Sequence, residues 1–255
     1  MDKGNLEFEV PGKREIEESV DRYISSVSSA EMIKTALIDM DGILYDSMPY
    51  HTLAWKRMTD EAGIDVPRND FYLYEGMTGA ETLRLIYGKA GKILTDDEIR
   101  ILYARKTDLF REIGHKDKMP GADMMLSILR ENDVRRILVT GSGQKSLVES
   151  LETDYPGAFC EDDMVTAADV TYGKPHPEPY IRGLAKADTD PCAAIVVENA
   201  PLGVRSGHLA GCFTVAVATG PIPKETLLDN GADIVFPSMT VFAESLPFLL
   251  EAFNR

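Results

Sequence analysis

Cysteine is scarce in this chain: Cys160, Cys192 and Cys212 are the only three, far apart and with no CxxC pair among them. That spacing excludes a disulfide framework, and the expectation is reduced, mostly buried thiols in a cytoplasmic protein. Basic residues are few as well, 27 Lys and Arg against 42 Asp and Glu, for a formal charge of −15. With no cationic excess to displace counterions, nucleic acid and anionic membrane surfaces are excluded as partners. An anionic substrate would need local help, from a bound cation or a few focused basic groups. No apolar run approaches the roughly 18 residues that would span a bilayer. The opening segment MDKGNLEFEVPGKREIEESV holds no apolar core of the secretory-leader kind. Internal repeats and low-complexity tracts are absent too.

What is present is a chain of 255 residues, 44% of them apolar, enough for a core domain with a smaller insert. Residues 1–30 form an acidic extension in which Ile16, Val20, Tyr23, Ile24 and Val27 recur at helical spacing. They predict an amphipathic helix docked on the main body. Thr35-Ala36-Leu37-Ile38 then reads as a buried strand that stops abruptly at Asp39. Residues 48–117 read as helices throughout. Thr78-Gly79-Ala80-Glu81 and Thr95-Asp96-Asp97-Glu98 are capping-box sequences, and Gly114 is a plausible stop.

From residue 118 the pattern alternates. Helices are predicted over 122–131, 143–152, 178–187 and 202–210, with a last one at the C-terminus. Strands are predicted over 137–139, 164–166, 194–197, 213–217 and 234–236. Continuously apolar strands separated by helices imply a parallel sheet covered on both faces. The predicted fold is α/β: a doubly wound, Rossmann-like, mostly parallel sheet with an inserted all-helical cap. Residues 31–47 and 118–255 supply the core domain and 48–117 the cap, placed beyond the carboxyl ends of the strands where such folds bind ligands.

Four groups of polar residues follow predicted strands. Asp39-Met40-Asp41-Gly42 offers two carboxylates two residues apart, one able to attack an electrophile and the other to move a proton. A calcium loop starting at Asp39 is excluded, because Ile43 occupies the position where an oxygen ligand is required. Thr140-Gly141-Ser142-Gly143 presents a hydroxyl and free amides where a helix opens, which suits a phosphate. Gly173-Lys174-Pro175-His176-Pro177 pins a lysine in a stiffened loop. Glu198-Asn199 supplies hard oxygen ligands suited to Mg²⁺. Each fragment alone has an ordinary structural reading, but converging at strand ends they describe an active site.

In this order the motifs DxDGxLxDS, TGS, GKPxPxxY and E-[ND] resemble the haloacid dehalogenase superfamily, in particular its β-phosphoglucomutase-like branch, over about residues 34 to 240. The resemblance implies Asp39 as a nucleophile forming an aspartyl-phosphate. It implies Asp41 as general acid/base and donor of a backbone carbonyl to Mg²⁺. Thr140 and Lys174 would steady the nucleophile and the moving phosphoryl, and Glu198 and Asn199 would complete the metal site. Gly141 and Ser142, with His51 and Lys106 from the cap, are the expected substrate contacts. Trp55 is read as cap core. Asn199 stands where the family usually has Asp, and the extension before residue 31 has no counterpart in the family pattern.

The cap loop Leu73–Glu81 sets the substrate. Where the hexose-phosphate mutases it resembles carry a lysine and an arginine, this chain has Glu75 and Gly79. Without the arginine fork a distal phosphate has no clamp, while Glu75 can become a further Mg²⁺ ligand. In this the loop resembles the branch's inorganic pyrophosphatases. The expectation is a monomeric, Mg²⁺-dependent phosphohydrolase acting on a small phosphorylated substrate, pyrophosphate foremost. The alternatives are a sugar-phosphate mutase or phosphatase, and a non-catalytic binding protein, which retention of Asp39, Asp41, Thr140 and Lys174 speaks against.

Overall fold

The computed structural model describes residues 9–27, 31–114, 117–141 and 145–255. Helix α1 (Lys13–Ser26) precedes β1 (Thr35–Ile38), whose four residues are all buried. Helices α2 (Met48–Glu61), α3 (Asp70–Leu73), α4 (Gly79–Lys89) and α5 (Asp96–Ile113) follow as one block. Both predicted capping boxes form: Thr78 accepts from Glu81 N and Thr95 from Glu98 N, and each glutamate bonds back to its threonine amide. Helix α5 stops at Gly114, as expected.

The alternating half then runs α6 (Ala122–Glu131), β2 (Arg135–Val139), α7 (Lys145–Asp154), β3 (Met164–Val165) and α8 (Glu178–Ala187). It continues through β4 (Ala194–Glu198), α9 (Pro201–Leu209), β5 (Phe213–Val217), α10 (Lys224–Asp229), β6 (Ile234–Phe236) and α11 (Met239–Phe253). Helix α10 is not foreshadowed by any periodicity; it is a short turn after Pro223 whose Leu227 alone is buried.

All the sheet pairings are parallel, and the strand order is β3-β2-β1-β4-β5-β6. The order reverses between β1 and β4, which is where such sheets open a crevice at the strands' carboxyl ends. Side chains alternate between the two covered faces. Leu37, Ile137, Val139 and Val196 pack with Tyr180 and Leu184 of α8, while Ala36, Ile38, Leu138, Ile195 and Val197 share a core with α6 and α11.

Helix α1 belongs to that second core. Ile16, Val20 and Tyr23 are buried, and the Tyr23 ring meets Phe213 and Phe253 edge-on while its hydroxyl donates to Gly211 O at 2.8 Å. The extension thus packs as structure. The cysteine expectation needs correction: only Cys212 is buried, Cys192 is half-buried and Cys160 is exposed, so the thiols are not mostly buried. Among the described residues no helix is long and apolar enough to cross a membrane.

Candidate active site

Register decides which side chains meet. Ile38 pairs with Leu138 on one side and Val197 on the other, so the next residues, Asp39, Val139 and Glu198, emerge together at the mouth of the crevice. Asp39 N continues the ladder to Val197 O, and Thr140 N to Val165 O. The Lys174 group departs from the expectation that all four groups directly follow strands. Strand β3 ends at Val165, and the loop over 166–177 carries the lysine back to the site.

Lys174 is the hub. Its Nζ donates to Asp39 Oδ1 at 2.5 Å, Glu198 Oε1 at 2.6 Å and Val139 O at 3.0 Å, and it is buried beneath all three. Burial opposes its charge, but Asp39 and Glu198 outweigh that and hold its pKa above the ordinary lysine value, so it stays an ammonium. One ammonium does not neutralise the acidic cluster around it. Burial first, then the negative charges of Glu198 and Asp41, outweigh Lys174 and push Asp39 up to about 8. Glu198 has both oxygens engaged: Oε1 also accepts from Tyr180, and Oε2 accepts from the amides of Asn199 and Ala200 at 2.9 and 3.1 Å. Both of its oxygens thus have protein donors in this structure.

Asp41 anchors a second chain of groups. Ser47 donates to its Oδ1 at 2.5 Å, and His51 Nε2 lies 3.2 Å from the same oxygen. Lys106 Nζ stands 2.7 Å from His51 Nδ1. An amine facing Nδ1 donates to it, so the ring proton belongs on Nε2, pointed at Asp41. Burial raises the Asp41 carboxyl, but His51, Ser47 and Lys106 together bring it below its ordinary value. Burial lowers Lys106 to about 7. His51 is lowered by burial and by Lys106. It is no surface histidine: its ring stacks on Phe110 at 4.1 Å. Trp55, expected as cap core, is buried, yet it also lines the cavity.

The cavity, of about 70 Å³, lies between the sheet and the helical block. Asp39, Asp41, Thr140 and Gly141 line it from below, and His51, Trp55, Glu75, Gly79, Tyr103 and Lys106 from above. Glu75 is half-buried as a residue, and its Oε1 accepts from Asn199 Nδ2 at 3.1 Å. Burial, then Asp39 and Glu198, push its carboxyl well above the usual range. Ser142 lies outside the described residues. Sequence reasoning did not single out Tyr180 and Ser47, though both fall inside the motifs it used. Tyr103 reads in the sequence only as one of the apolar positions of the helix after Thr95, with no signal that it faces the site.

Among the described residues no three acidic, histidine or cysteine side chains stand ready-made as a metal cage. The donor chemistry nonetheless fits a hard cation. Asn199 Oδ1 is buried with no hydrogen-bond partner, an orphan acceptor beside Glu75. Burial and negative neighbours raise both the Asp39 and the Glu75 carboxyls, a shift that a nearby divalent ion would reverse.

A model of the haloacid dehalogenase-like hydrolases matches residues 33–211. Hexitol phosphatase A of Escherichia coli (strain K12) is 30% identical over 207 residues, covering 81% of this chain and 91% of that protein. Beta-phosphoglucomutase of Bacillus subtilis (strain 168) is 27% identical over 212 residues, covering 80% of this chain and 88% of that one. A solved structure from Bacteroides vulgatus, provisionally assigned as a beta-phosphoglucomutase, superposes with a TM-score of 0.92 at 37% identity, covering 96% of this chain and 100% of that chain. The uncovered 4% is smaller than the segment before residue 31, so the extension has a counterpart there. The chain belongs to the haloacid dehalogenase-like hydrolases and, within them, to the β-phosphoglucomutase-like branch.

Proposed function

We propose that this protein is a Mg²⁺-dependent phosphohydrolase that works through an aspartyl-phosphate on Asp39, with inorganic pyrophosphate as its preferred substrate. The observation that carries the substrate choice is Glu75: the loop before α4 brings a carboxylate over the site, 3.1 Å from Asn199. Gly79 reinforces it, because a Cβ there would run into the Tyr103 ring, leaving no space for a basic side chain. A cavity of about 70 Å³ holds roughly five water molecules, a size that favours a compact phosphoanhydride over a sugar bisphosphate.

Asp39, Asn199 through Oδ1 and Glu75 would hold the ion, together with the Asp41 carbonyl. When bound, Mg²⁺ supplies positive charge that keeps Asp39 ionised and offsets charge on the phosphate oxygens. An Asp39 oxygen attacks phosphorus, and the P–O bond to the leaving phosphate breaks as the acyl phosphate forms. Lys174 holds the attacking carboxylate at 2.5 Å and balances charge on the moving phosphoryl. Thr140 and Gly141, lining the same cavity, receive its oxygens. Asp41, ionised in the free site and steadied by Ser47 and His51, takes up a proton as the protonated substrate binds, gives it to the leaving oxygen, and later takes one from the water that cleaves the acyl phosphate.

A second reading, a sugar-phosphate phosphatase, draws on the likeness to Hexitol phosphatase A. A phosphate-release panel with Mg²⁺ separates the two. We expect kcat/KM for pyrophosphate to exceed that for hexose and hexitol phosphates by at least about tenfold, roughly 1.4 kcal/mol of transition-state binding. A preference for any sugar or hexitol phosphate would overturn the pyrophosphate assignment. Phosphoryl exchange between two hexose phosphates without net phosphate release would instead revive the mutase.

A further inference from the structure

We propose that Glu81 is a positioning residue that latches the cap loop onto the loop carrying Lys174, so that the first turn of α4 sets how the closed cap registers on the catalytic lysine. The inference rests on the phosphotransfer reading of Asp39 and Lys174 but not on which phosphate is the substrate.

Two capping boxes of the same composition make the case. At the start of α5, Glu98 bonds Thr95 N and Oγ1 at 2.7 and 2.8 Å, and both residues are exposed. At the start of α4, Glu81 Oε2 makes the same two bonds to Thr78 at 2.8 and 2.7 Å. Its other oxygen crosses to the sheet-bearing half of the molecule, where Oε1 accepts from Gly173 N at 3.2 Å. Gly173 is the residue before Lys174, and its carbonyl accepts from His176 N at 3.0 Å, closing the turn in which the lysine sits. One carboxylate therefore caps a cap-domain helix and holds the catalytic turn at once.

The fit is close on the Gly173 side. A Cβ on that residue would lie 2.5 Å from Glu81 Oε2 and 3.0 Å from Thr78 N, so only glycine lets the two segments approach. Glu75, at the near end of the same loop, touches Asn199. The loop is thus tied to the core at both ends, by Glu75 beside the candidate metal ligands and by Glu81 beside the lysine. A carboxylate receiving backbone N–H groups makes the stronger class of hydrogen bond, which suits a contact that must re-form at each closure.

The matched boxes supply their own control. Glu81→Ala and Glu98→Ala each remove the glutamate half of a capping box while leaving the threonine cap in place, and both variants should show a fall in melting temperature. Only Glu81→Ala should loosen closure. We expect its KM for the best phosphate substrate to rise about tenfold or more, with less than a twofold change for an aryl phosphate that reacts in a partly open cap. Glu98→Ala should change neither. Hydrogen exchange at the Gly173 amide should speed up in Glu81→Ala and stay at the wild-type rate in Glu98→Ala. This readout stands whichever phosphate proves to be the substrate, so it fails independently of the pyrophosphate assignment. Gly173→Ala should reproduce the exchange-independent part, the KM rise, from the opposite side of the contact. Equal kinetic effects of the two glutamate variants, or unchanged Gly173 exchange in Glu81→Ala, would overturn the latch and leave Glu81 as a helix cap alone.

Discussion

Magnesium binding to this protein should release protons, and the number follows from the site. Asp39 is pushed up to about 8 by burial and its negative neighbours, and Glu75 is pushed well above the ordinary glutamate value. At pH 7 a group titrating about one unit higher is roughly nine-tenths protonated, so the metal-free site holds most of one proton on Asp39, and Glu75 is shifted in the same direction. A divalent ion takes only deprotonated ligands. Binding should therefore expel close to one proton per Mg²⁺ from Asp39, and the direction of the Glu75 shift can only add to it. Titration calorimetry at pH 7 in two buffers of different ionisation enthalpy reads that number directly. The affinity should tighten about tenfold per pH unit between pH 6 and 8 for each proton lost. Stability of the metal-free protein should move the other way. Since Asp39's folded value lies above its unfolded one, its contribution is complete below about pH 4 and disappears as the pH climbs through about 8. Excess Mg²⁺ should cancel that loss. Zero proton release, or an affinity flat from pH 6 to 8, would refute the claim that these carboxylates await a cation.

Asp39→Asn should keep the fold and lower kcat by at least about a thousandfold, near 4 kcal/mol; retention of a tenth of the activity would remove Asp39 as nucleophile. Asn199→Asp should tighten Mg²⁺ binding about tenfold by adding charge to a hard-cation site, while turnover falls; an unchanged Kd by titration would place Asn199 outside the metal's reach. Ile16→Ala, which empties a fully packed position under α1, should cost about 2–5 kcal/mol in urea unfolding with kcat nearly unchanged. A loss below about 0.5 kcal/mol would show that the N-terminal helix is not part of the core.

Much of the fold was legible because its signals are local. Strand β6 is wholly apolar, β4 is apolar up to Glu198 and β5 is interrupted only by Thr214, and both capping boxes lie within four consecutive residues, so neighbours in sequence decide them. Helix α10 was not legible, because a six-residue turn has too few periodic positions to register. The candidate site was legible where a motif concentrates its residues, as with Asp39 and Asp41. It was less legible where one residue answers to distant ones. Glu198 reads as a metal ligand beside Asn199, yet Lys174 and Tyr180, both from another loop and helix, occupy its Oε1. His51 reads equally well as a surface residue until Phe110 is found stacked on it.

The sequence by itself determined the parallel α/β core, the helical insert and the chemical cast: two carboxylates, a lysine, a hydroxyl, and oxygen ligands at strand ends. Those follow from hydrophobic period and from residue type. Only the tertiary structure decided what the cast faces. It put Tyr103 into the space beside Gly79 and joined Glu198 to Lys174. It also left Asn199 Oδ1 without a partner and carried Glu81 across to Gly173, 92 residues away. Side-chain direction and burial depend on packing between segments far apart in the chain, and no pattern within a short window of sequence encodes them.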